Sequence, residues 1–314
     1  MEYLLLVVGF VMLLFGGKFL VKSGVALANR YNVPPLVIGL TVVSFGTSAP
    51  ELFVSLAAVI KNHPEVAIGN VIGSNIANIS LVLALTAIIF PIPVRGSSVK
   101  LDAPFMIIIS LLFWGFIFNL SLSRLEGITF IVLLFAYTFI LFLFSKKNII
   151  VSDNIPRLKG TMGLGKIILL LFLSDIGLAF GSVLLVENAG TIAANLGVDE
   201  RIIAISLIAF GTSLPELTTS VIAAFKKEMD ISIGNIIGSN IFNILAVLGI
   251  SSIVKPIRVN PGFLRSDIFW MMGASILLFV FILPFKGGKL TRGKAIVLFS
   301  LYCVYLYILY FRTT

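Results

Sequence analysis

The sequence has little of what most enzymes and metal centres use. Its 314 residues include one cysteine, Cys303, one histidine, His63, and only 12% charged residues. A single cysteine excludes an internal disulfide and leaves no thiolate cluster for a soft metal. His63 lies in the short segment "KNHPE", where a surface position is the simplest interpretation. No glycine-rich phosphate-binding loop is present, so the sequence gives no sign of ATP use.

Apolar residues dominate instead. The hydrophobic fraction is 59% and the mean hydropathy is +1.12, values that a water-soluble domain of this length would not show. A membrane span needs about 20 mostly apolar residues. The sequence therefore predicts an all-α polytopic membrane protein with ten transmembrane helices, the first retained rather than cleaved. The predicted spans are 3–27, 35–60, 66–90, 103–122, 126–145, 166–194, 202–225, 231–254, 268–285 and 294–311.

The net charge of +9 is spread over the loops between these spans, so it does not indicate nucleic acid. With Lys18 left unassigned inside the first span, loops on the N-terminal side carry 7 Lys and Arg residues and the opposite loops carry 15. Because cytoplasmic loops are enriched in Lys and Arg, both termini are expected outside the cytoplasm. The cell membrane is the expected location.

One segment occurs twice. Residues 45–79 return as residues 210–244 without a gap, and 20 of the 35 positions are identical. The copies begin in predicted spans 2 and 7, so an odd number of spans separates them and the second copy enters the membrane from the opposite side. Inverted repeats around a midplane site are typical of secondary transporters. The predicted units are 1–146, a cytoplasmic linker 147–162, and 163–314, forming one transmembrane domain.

Each copy places a carboxylate directly after a proline: Pro50 and Glu51, then Pro215 and Glu216. Proline cannot donate to the carbonyl four residues earlier, so a carbonyl is freed at membrane depth, where it must line a cavity or find a partner. Hydroxyls lie at helical spacing around both glutamates. They are Ser44, Thr47, Ser48 and Ser55 in the first copy and Thr212, Ser213 and Ser220 in the second.

The following span of each copy carries "GNxIGSNIxNI", with Ser74 and Asn78, then Ser239 and Asn243, at i,i+4 spacing. These are hard oxygen donors without His or Cys, a set that suits Na⁺ or Ca²⁺. Two carboxylates facing one cavity need compensating charge. One Ca²⁺, two or more Na⁺, or two protons would provide it, and mutually exclusive compensation is a basis for exchange. The remaining amides of the motif are interpreted as helix-to-helix contacts: Asn70, Asn75, Asn235 and Asn240.

At "GTSAPE", "GTSLPE" and the two "GNxIGSN" segments the sequence resembles the calcium/cation antiporter superfamily, in particular the compact prokaryotic form of the sodium/calcium exchanger family. The resemblance implies two inverted five-helix repeats with broken helices 2, 3, 7 and 8 in the core and helices 1 and 6 as a sliding gate. It also implies a central cluster of four ion sites in a diamond. The implied ligands are Glu51, Glu216, Asn78, Asn243, Thr47, Ser48, Ser74, Thr212, Ser213 and Ser239, with backbone carbonyls of Ser44 and Ala209.

Asn243 departs from several relatives, which carry an Asp there, so only two carboxylates are expected at the centre. That disfavours the potassium-dependent branch. The proton/calcium branch replaces the SN motif with an acid and a His, which are absent here. The resemblance therefore implies a Na⁺/Ca²⁺ antiporter, with Ca²⁺ and Na⁺ as substrates, no cofactor, no nucleic acid and no obligatory protein partner, working as a monomer in the lipid bilayer.

Three other functions were weighed against Na⁺/Ca²⁺ exchange. An H⁺/Ca²⁺ antiporter is the runner-up. A channel would conduct Ca²⁺ without a counter-ion gradient, and an intramembrane hydrolase is disfavoured because the lone histidine lies outside both motifs. Asp175, in the sixth span, has no acidic counterpart in the first repeat, since Phe10 occupies that position. It is interpreted either as a group that tunes ion access or as a structural acid.

Overall fold

The computed structural model describes residues 1–94, 96–149, 162–197, 211–283 and 288–312. These residues form long helices joined by short loops and four two-residue strands. The helices are α1 (Glu2–Tyr31), α2 (Pro35–Thr47), α3 (Ala49–Ile60), α4 (Pro64–Ile89), α5 (Ser98–Asn119), α6 (Arg124–Ile149), α7 (Leu164–Asn195), α8 (Leu214–Phe225), α9 (Met229–Val254), α10 (Phe263–Ile282) and α11 (Arg292–Arg312).

The prediction of an all-α, multi-pass membrane protein is confirmed. Within the described ranges, eight helices are long and apolar enough to span a bilayer, and α2 with α3 forms a ninth span bent by 45°. The predicted span 202–225 is described only from residue 211, where α8 covers its second half. The total of ten helices therefore stays a prediction. Of the predicted linker 147–162, residues 147–149 belong to α6 and residues 150–161 lie outside the described ranges.

The core is built around α4 and α9, the two helices that carry the "GNxIGSN" motifs. In the most apolar stretch of α9, 89% of the residues are buried, and in that of α4 78%, against 22% in α6. Large apolar side chains such as Phe135 on α6 and Phe172 on α7 are exposed, as expected where a helix faces lipid tails. The motif helices are thus shielded from the bilayer by the others.

Helices α1 and α7 pack against each other in antiparallel directions along small residues. A Cβ on Gly9 would lie 2.8 Å from the carbonyl oxygen of Gly181, and one on Gly16 would lie 3.1 Å from that of Ser174. Such spacing requires glycine, which allows close backbone approach between membrane helices. The contacts advance along α1 as they recede along α7. The sixth predicted span therefore crosses the membrane opposite to the first.

The repeat found in the sequence is repeated in the structure at the same offset of 165 residues. Helices α3 and α8 begin at Ala49 and Leu214, and α4 and α9 begin at Pro64 and Met229. The same offset relates π-helical segments inside four long helices, at Asn78–Leu83 and Asn243–Leu248 and at Ser98–Asp102 and Phe263–Asp267.

The expected breaks in the third and eighth spans take a different form from the one predicted. Helices α4 and α9 run without interruption, and the irregularity is a π segment that begins at Asn78 and at Asn243. The physical reason is that neither helix contains an internal proline, so every residue keeps its N–H and the ladder only changes register. A true break is seen between α2 and α3, at the Ser48 that precedes Ala49 and Pro50.

Each strand pairs with a strand of the other repeat. Strand β1 (Ile92–Pro93) pairs antiparallel with β4 (Lys289–Leu290), and β2 (Ser121–Leu122) pairs antiparallel with β3 (Ile257–Arg258). The first pair connects the end of α4 to the loop before α11, and the second connects the loop before α6 to the loop after α9. The two ribbons therefore tie the halves of the core together at two places.

Candidate ion-binding site

Both glutamates lie in the first turn of a helix that starts after a serine with non-helical dihedral angles. Ser48 leaves the helical conformation with φ −91° and ψ 4°, and Ser213 does the same with φ −87° and ψ 3°. A proline follows each, and the glutamate comes next. Free N–H groups and the positive end of the helix dipole at these starts favour a negative group. The sequence thus places a carboxylate where backbone electrostatics partly compensate its charge.

The two carboxylates are fully buried, and their hydrogen bonding differs. Glu216 Oε1 accepts from Ser48 Oγ at 3.1 Å and from Ser239 Oγ at 3.4 Å. Ser48, three residues before Glu51, thus links the segment that carries Glu51 to the carboxylate of Glu216. Neither oxygen of Glu51 has a hydrogen-bond partner in the described part of the chain, and Glu216 Oε2 also has none. Three buried oxygens therefore have no donor.

Hydroxyls from one repeat reach into the other. Thr47 Oγ1 donates to Asn235 Oδ1 at 3.0 Å and lies 3.3 Å from Ser239 Oγ. Ser74 Oγ lies 3.2 Å from Thr212 Oγ1. The prolyl segment of each repeat therefore lies against the "GNxIGSN" helix of the other, which brings the predicted hydroxyls to one place at the interface of the two repeats.

The amides that flank the glutamates are also unequally paired. Asn243 Nδ2 donates to Asn75 Oδ1 at 3.1 Å, while its Oδ1 has no partner among the described residues. Neither polar atom of Asn78 has one. Asn70, in contrast, donates to Ser55 Oγ at 2.9 Å and to the carbonyl of Glu51 at 3.2 Å. The side-chain oxygens of Asn78 and Asn243 are thus free to bind an ion, and Asn240 Oδ1 also has no partner among the described residues.

Two predicted ligands are backbone carbonyls. The carbonyl of Ser44 accepts from the Ser48 N–H at 3.0 Å and from Thr47 Oγ1 at 3.3 Å, so it lies beside the site while it is already engaged. Ala209 lies outside the described residues. Ser213 is buried, and its Oγ has no partner in the described ranges.

Three of the four amides interpreted as helix-to-helix contacts do join helices, although the sequence did not reveal their partners. The side chain of Asn240 instead donates within its own helix, to the carbonyl of Ile236. Asn75 joins α4 to α9, since its Oδ1 accepts from Asn243 and its Nδ2 donates to the carbonyl of Asn240 at 3.3 Å. Asn235 Nδ2 donates to Ser220 Oγ at 3.1 Å, as Asn70 does to Ser55 in the first repeat. The pairs Asn70–Ser55 and Asn235–Ser220 are related by the same 165-residue offset. That offset was the signal in the sequence that could have predicted these amide–hydroxyl contacts.

The side chains of the candidate site carry oxygen atoms of the kind that bind hard cations. No Lys, Arg or His side chain in the described part of the chain forms a hydrogen bond or ion pair with either glutamate, and the same residues contain no cluster of three or more His, Cys, Asp or Glu. Free carboxylate and amide oxygens remain, which are the ligands of hard cations. A buried uncompensated carboxylate is costly, so this arrangement calls for a cation or a proton.

Comparisons with known proteins identify the family to which the chain belongs. The family described as sodium/calcium exchanger protein matches residues 1–143 and 166–311. The chain belongs to the sodium/calcium exchanger family. The predicted membership, inferred from four short motifs, is confirmed over nearly the whole length.

Individual known proteins align with the chain over nearly its whole length. It is 33% identical over 349 residues to the sodium/calcium exchanger MaX1 of Methanosarcina acetivorans, covering 99% of each. It is 33% identical to the inner membrane protein YrbG of Escherichia coli, covering 98% of this chain and 96% of that protein. Among solved structures, the sodium-calcium exchanger NCX_Mj soaked with Na⁺ and Ca²⁺ superposes with a TM-score of 0.81 at 30% identity, covering 96% of both chains.

Proposed function

We propose that this member of the sodium/calcium exchanger family exchanges Na⁺ for Ca²⁺ across the membrane by alternating access at a midplane site containing Glu51 and Glu216. The observation that carries the proposal is the pair of fully buried carboxylates from equivalent positions of the two repeats, with no cationic side chain of the described ranges beside them. Support comes from relatives named as sodium/calcium exchangers and from the soaked structures of NCX_Mj.

The proposed ligands divide by chemistry. The carboxylates carry the charge, the amide oxygens of Asn78 and Asn243 have no donor in the described structure, and the hydroxyls supply neutral oxygens. Carbonyls complete the shell, as is usual for Ca²⁺ and Na⁺. The full proposed set is Glu51, Glu216, Asn78, Asn243, Thr47, Ser48, Ser74, Thr212, Ser213, Ser239, Ser44 and Ala209.

Exchange follows from charge balance in a medium of low dielectric constant. One Ca²⁺ neutralises two carboxylates, and two or more Na⁺ spread over the same oxygens do so too, so the ions displace one another. A ligand that stabilises both orientations equally changes nothing in their equilibrium. Coupling therefore requires that the empty, uncompensated site resist reorientation. Helices α1 and α7, packed together through glycines, are the proposed moving pair.

The remaining attributes follow from the same proposal. The protein acts as a transporter and not as an enzyme, needs no cofactor, and works as a monomer in the bilayer of the cell membrane without nucleic acid or an obligatory protein partner. Both termini lie outside the cytoplasm, because the excess of Lys and Arg is found on the opposite side.

The test uses purified protein in proteoliposomes and radioactive Ca²⁺. An outward Na⁺ gradient is expected to drive Ca²⁺ uptake, and a pH gradient of the same energy is not. Uptake driven by the pH gradient alone would instead establish the H⁺/Ca²⁺ antiporter. Uptake that needs neither gradient and only follows the Ca²⁺ gradient would establish a channel.

A further inference from the structure

Asp175 is a half-buried acidic residue that the proposed site does not use. It lies on α7, and its Oδ1 is buried without a hydrogen-bond partner in the described part of the chain. No Lys or Arg in the described ranges forms an ion pair with it. The other repeat has Phe10 at the equivalent position, so this acid breaks the symmetry that relates the two halves.

The carboxylate of Asp175 packs on the backbone of the second span just before its break. A Cβ on Gly46 would lie 2.8 Å from Asp175 Cγ and 2.9 Å from its Oδ2, closer than any side chain allows. Gly46 directly precedes Thr47, and Pro50 has no N–H to donate to the carbonyl of Gly46. The carboxylate of Asp175 therefore packs against Gly46, whose carbonyl lacks the usual helical donor.

The position along the helices assigns Asp175 to one side of the site. We call the side of the membrane where α1 ends and α7 begins the linker side. Gly46 lies eleven residues after Pro35, the start of α2, and Asp175 lies eleven residues after Leu164, the start of α7, which is about 16 Å along each helix. Glu51 comes five residues deeper than Gly46. Asp175 thus lies between Glu51 and the linker side.

The glycine of the second repeat has a different neighbour on the same helix. A Cβ on Gly211 would lie 2.8 Å from Cγ2 of Val186, which is eleven residues, or about 16 Å, further along α7. This contact lies on the side of Glu216 away from the linker. One helix thus places a carboxylate on the linker side of the glutamates and an apolar side chain on their far side.

We propose that Asp175 recruits cations to the glutamate site from the linker side only, which makes the apparent affinity of the exchanger for Ca²⁺ different on its two sides. A negative charge at the wall of a cavity with low dielectric constant concentrates cations and raises their rate of entry by about tenfold or more. Val186 provides no such attraction. The inference rests on the proposed exchange function, because it concerns entry to the same site.

The test compares membrane vesicles of the two orientations. The initial rate of Na⁺-dependent Ca²⁺ uptake is measured against Ca²⁺ concentration for wild type, Asp175→Asn, Asp175→Glu and Glu187→Gln. Glu187 is the matched control, since it is an exposed carboxylate on the same helix. Asp175→Asn is expected to raise the half-saturating Ca²⁺ concentration about tenfold when Ca²⁺ is added on the linker side, and less than about twofold on the other.

Recovery in Asp175→Glu and normal behaviour of Glu187→Gln are expected, because the charge and its position carry the effect. An equal change on both sides, as a purely structural role would give, overturns the inference, as does an unchanged linker-side value. If wild-type vesicles show no Na⁺-dependent uptake in either orientation, the proposed function fails instead.

Discussion

The two halves of the site have nearly the same sequence and different hydrogen bonding. In one half, Glu216 accepts from Ser48 and Asn243 donates to Asn75. At the equivalent positions of the other half, Glu51 and Asn78 have no partner in the described structure, and neither do Ser213 Oγ or Asn240 Oδ1, which would serve them by symmetry. The hydrogen bonds Ser48–Glu216 and Asn75–Asn243 are thus formed, while the equivalent bonds Ser213–Glu51 and Asn240–Asn78, related by the offset of 165 residues, are not formed among the described residues.

Because the residues concerned are identical in the two repeats, the difference in hydrogen bonding comes from the conformation of the repeats and not from their composition. A structure with an exact two-fold relation would give both glutamates the same partners. In a protein that alternates between two orientations, the roles of the repeats are expected to exchange, so that Ser213 would donate to Glu51 in the opposite state. Under the proposed exchange function, the half without these hydrogen bonds is the half prepared to receive an ion.

The largest expected effect comes from neutralising either carboxylate. Glu51→Gln and Glu216→Gln are each expected to abolish Na⁺-driven Ca²⁺ uptake while the protein stays folded, since one remaining charge cannot balance Ca²⁺. Uptake is measured in proteoliposomes, with the folded fraction followed by gel filtration. Exchange retained in one variant would show that its carboxylate is outside the site and that the halves are not equivalent.

A second comparison concerns the two glycines before the breaks. Gly46→Ala would push a methyl group onto the carboxylate of Asp175, and Gly211→Ala would push one onto Val186. Each is expected to lower the free energy of unfolding by about 1–3 kcal/mol, measured by thermal unfolding in detergent. Asp175→Ala should rescue only Gly46→Ala, and Val186→Ala only Gly211→Ala. Rescue by the wrong partner would contradict the packing described.

The serines that precede the two prolines sharpen the comparison further. In the ion-free protein, Ser48→Ala is expected to cost about 1 kcal/mol more stability than Ser213→Ala, because only Ser48 makes a hydrogen bond to a carboxylate. Thermal unfolding measures this difference. Both variants should nevertheless slow exchange to a similar extent, since each serine is needed in one orientation. Full exchange in Ser213→Ala would argue against an exchange of roles.

The smallest expected difference is between the flanking amides. Asn243→Asp and Asn78→Asp both add a buried charge, but only Asn243→Asp removes the donor to Asn75 Oδ1. The free energy of unfolding of Asn243→Asp should therefore be lower than that of Asn78→Asp by about 1 kcal/mol. Thermal unfolding of the two variants at low ion concentration tests this, with wild type as the reference. Equal stabilities would mean that the Asn75 contact is not maintained.

Local chemistry made much of the structure predictable. Pro50 and Pro215 have no backbone donor, so a freed carbonyl near each glutamate followed from covalent structure alone, whereas the broken helices were implied by the family resemblance. The constant offset of 165 residues revealed the repeat. The effect of each proline depends on residues close to it in sequence, and the repeat is recognised by comparing two segments of the same sequence.

Other features depend on which of two similar arrangements the chain adopts. Identical motifs gave no reason for Ser48 to have a partner and Ser213 none, because that choice is made by the relative position of the repeats. Asp175 could be seen as an unmatched acid, but its contact with Gly46 joins spans far apart in sequence. The π segments at Asn78 and Asn243 replaced the predicted breaks because a continuous helix can absorb an extra residue without losing its ladder.

The two cross-repeat ribbons set an order of assembly for the protein. Strand β1 is complete at residue 93, yet its partner β4 begins at residue 289, so the pairing waits until most of the chain has been synthesised and inserted. Contacts of such large sequence separation form late and slowly. Until then, Glu51 would be in the bilayer without the helices that supply the rest of its site. The first half of the chain therefore cannot complete either ribbon or the glutamate site until the second half has been inserted.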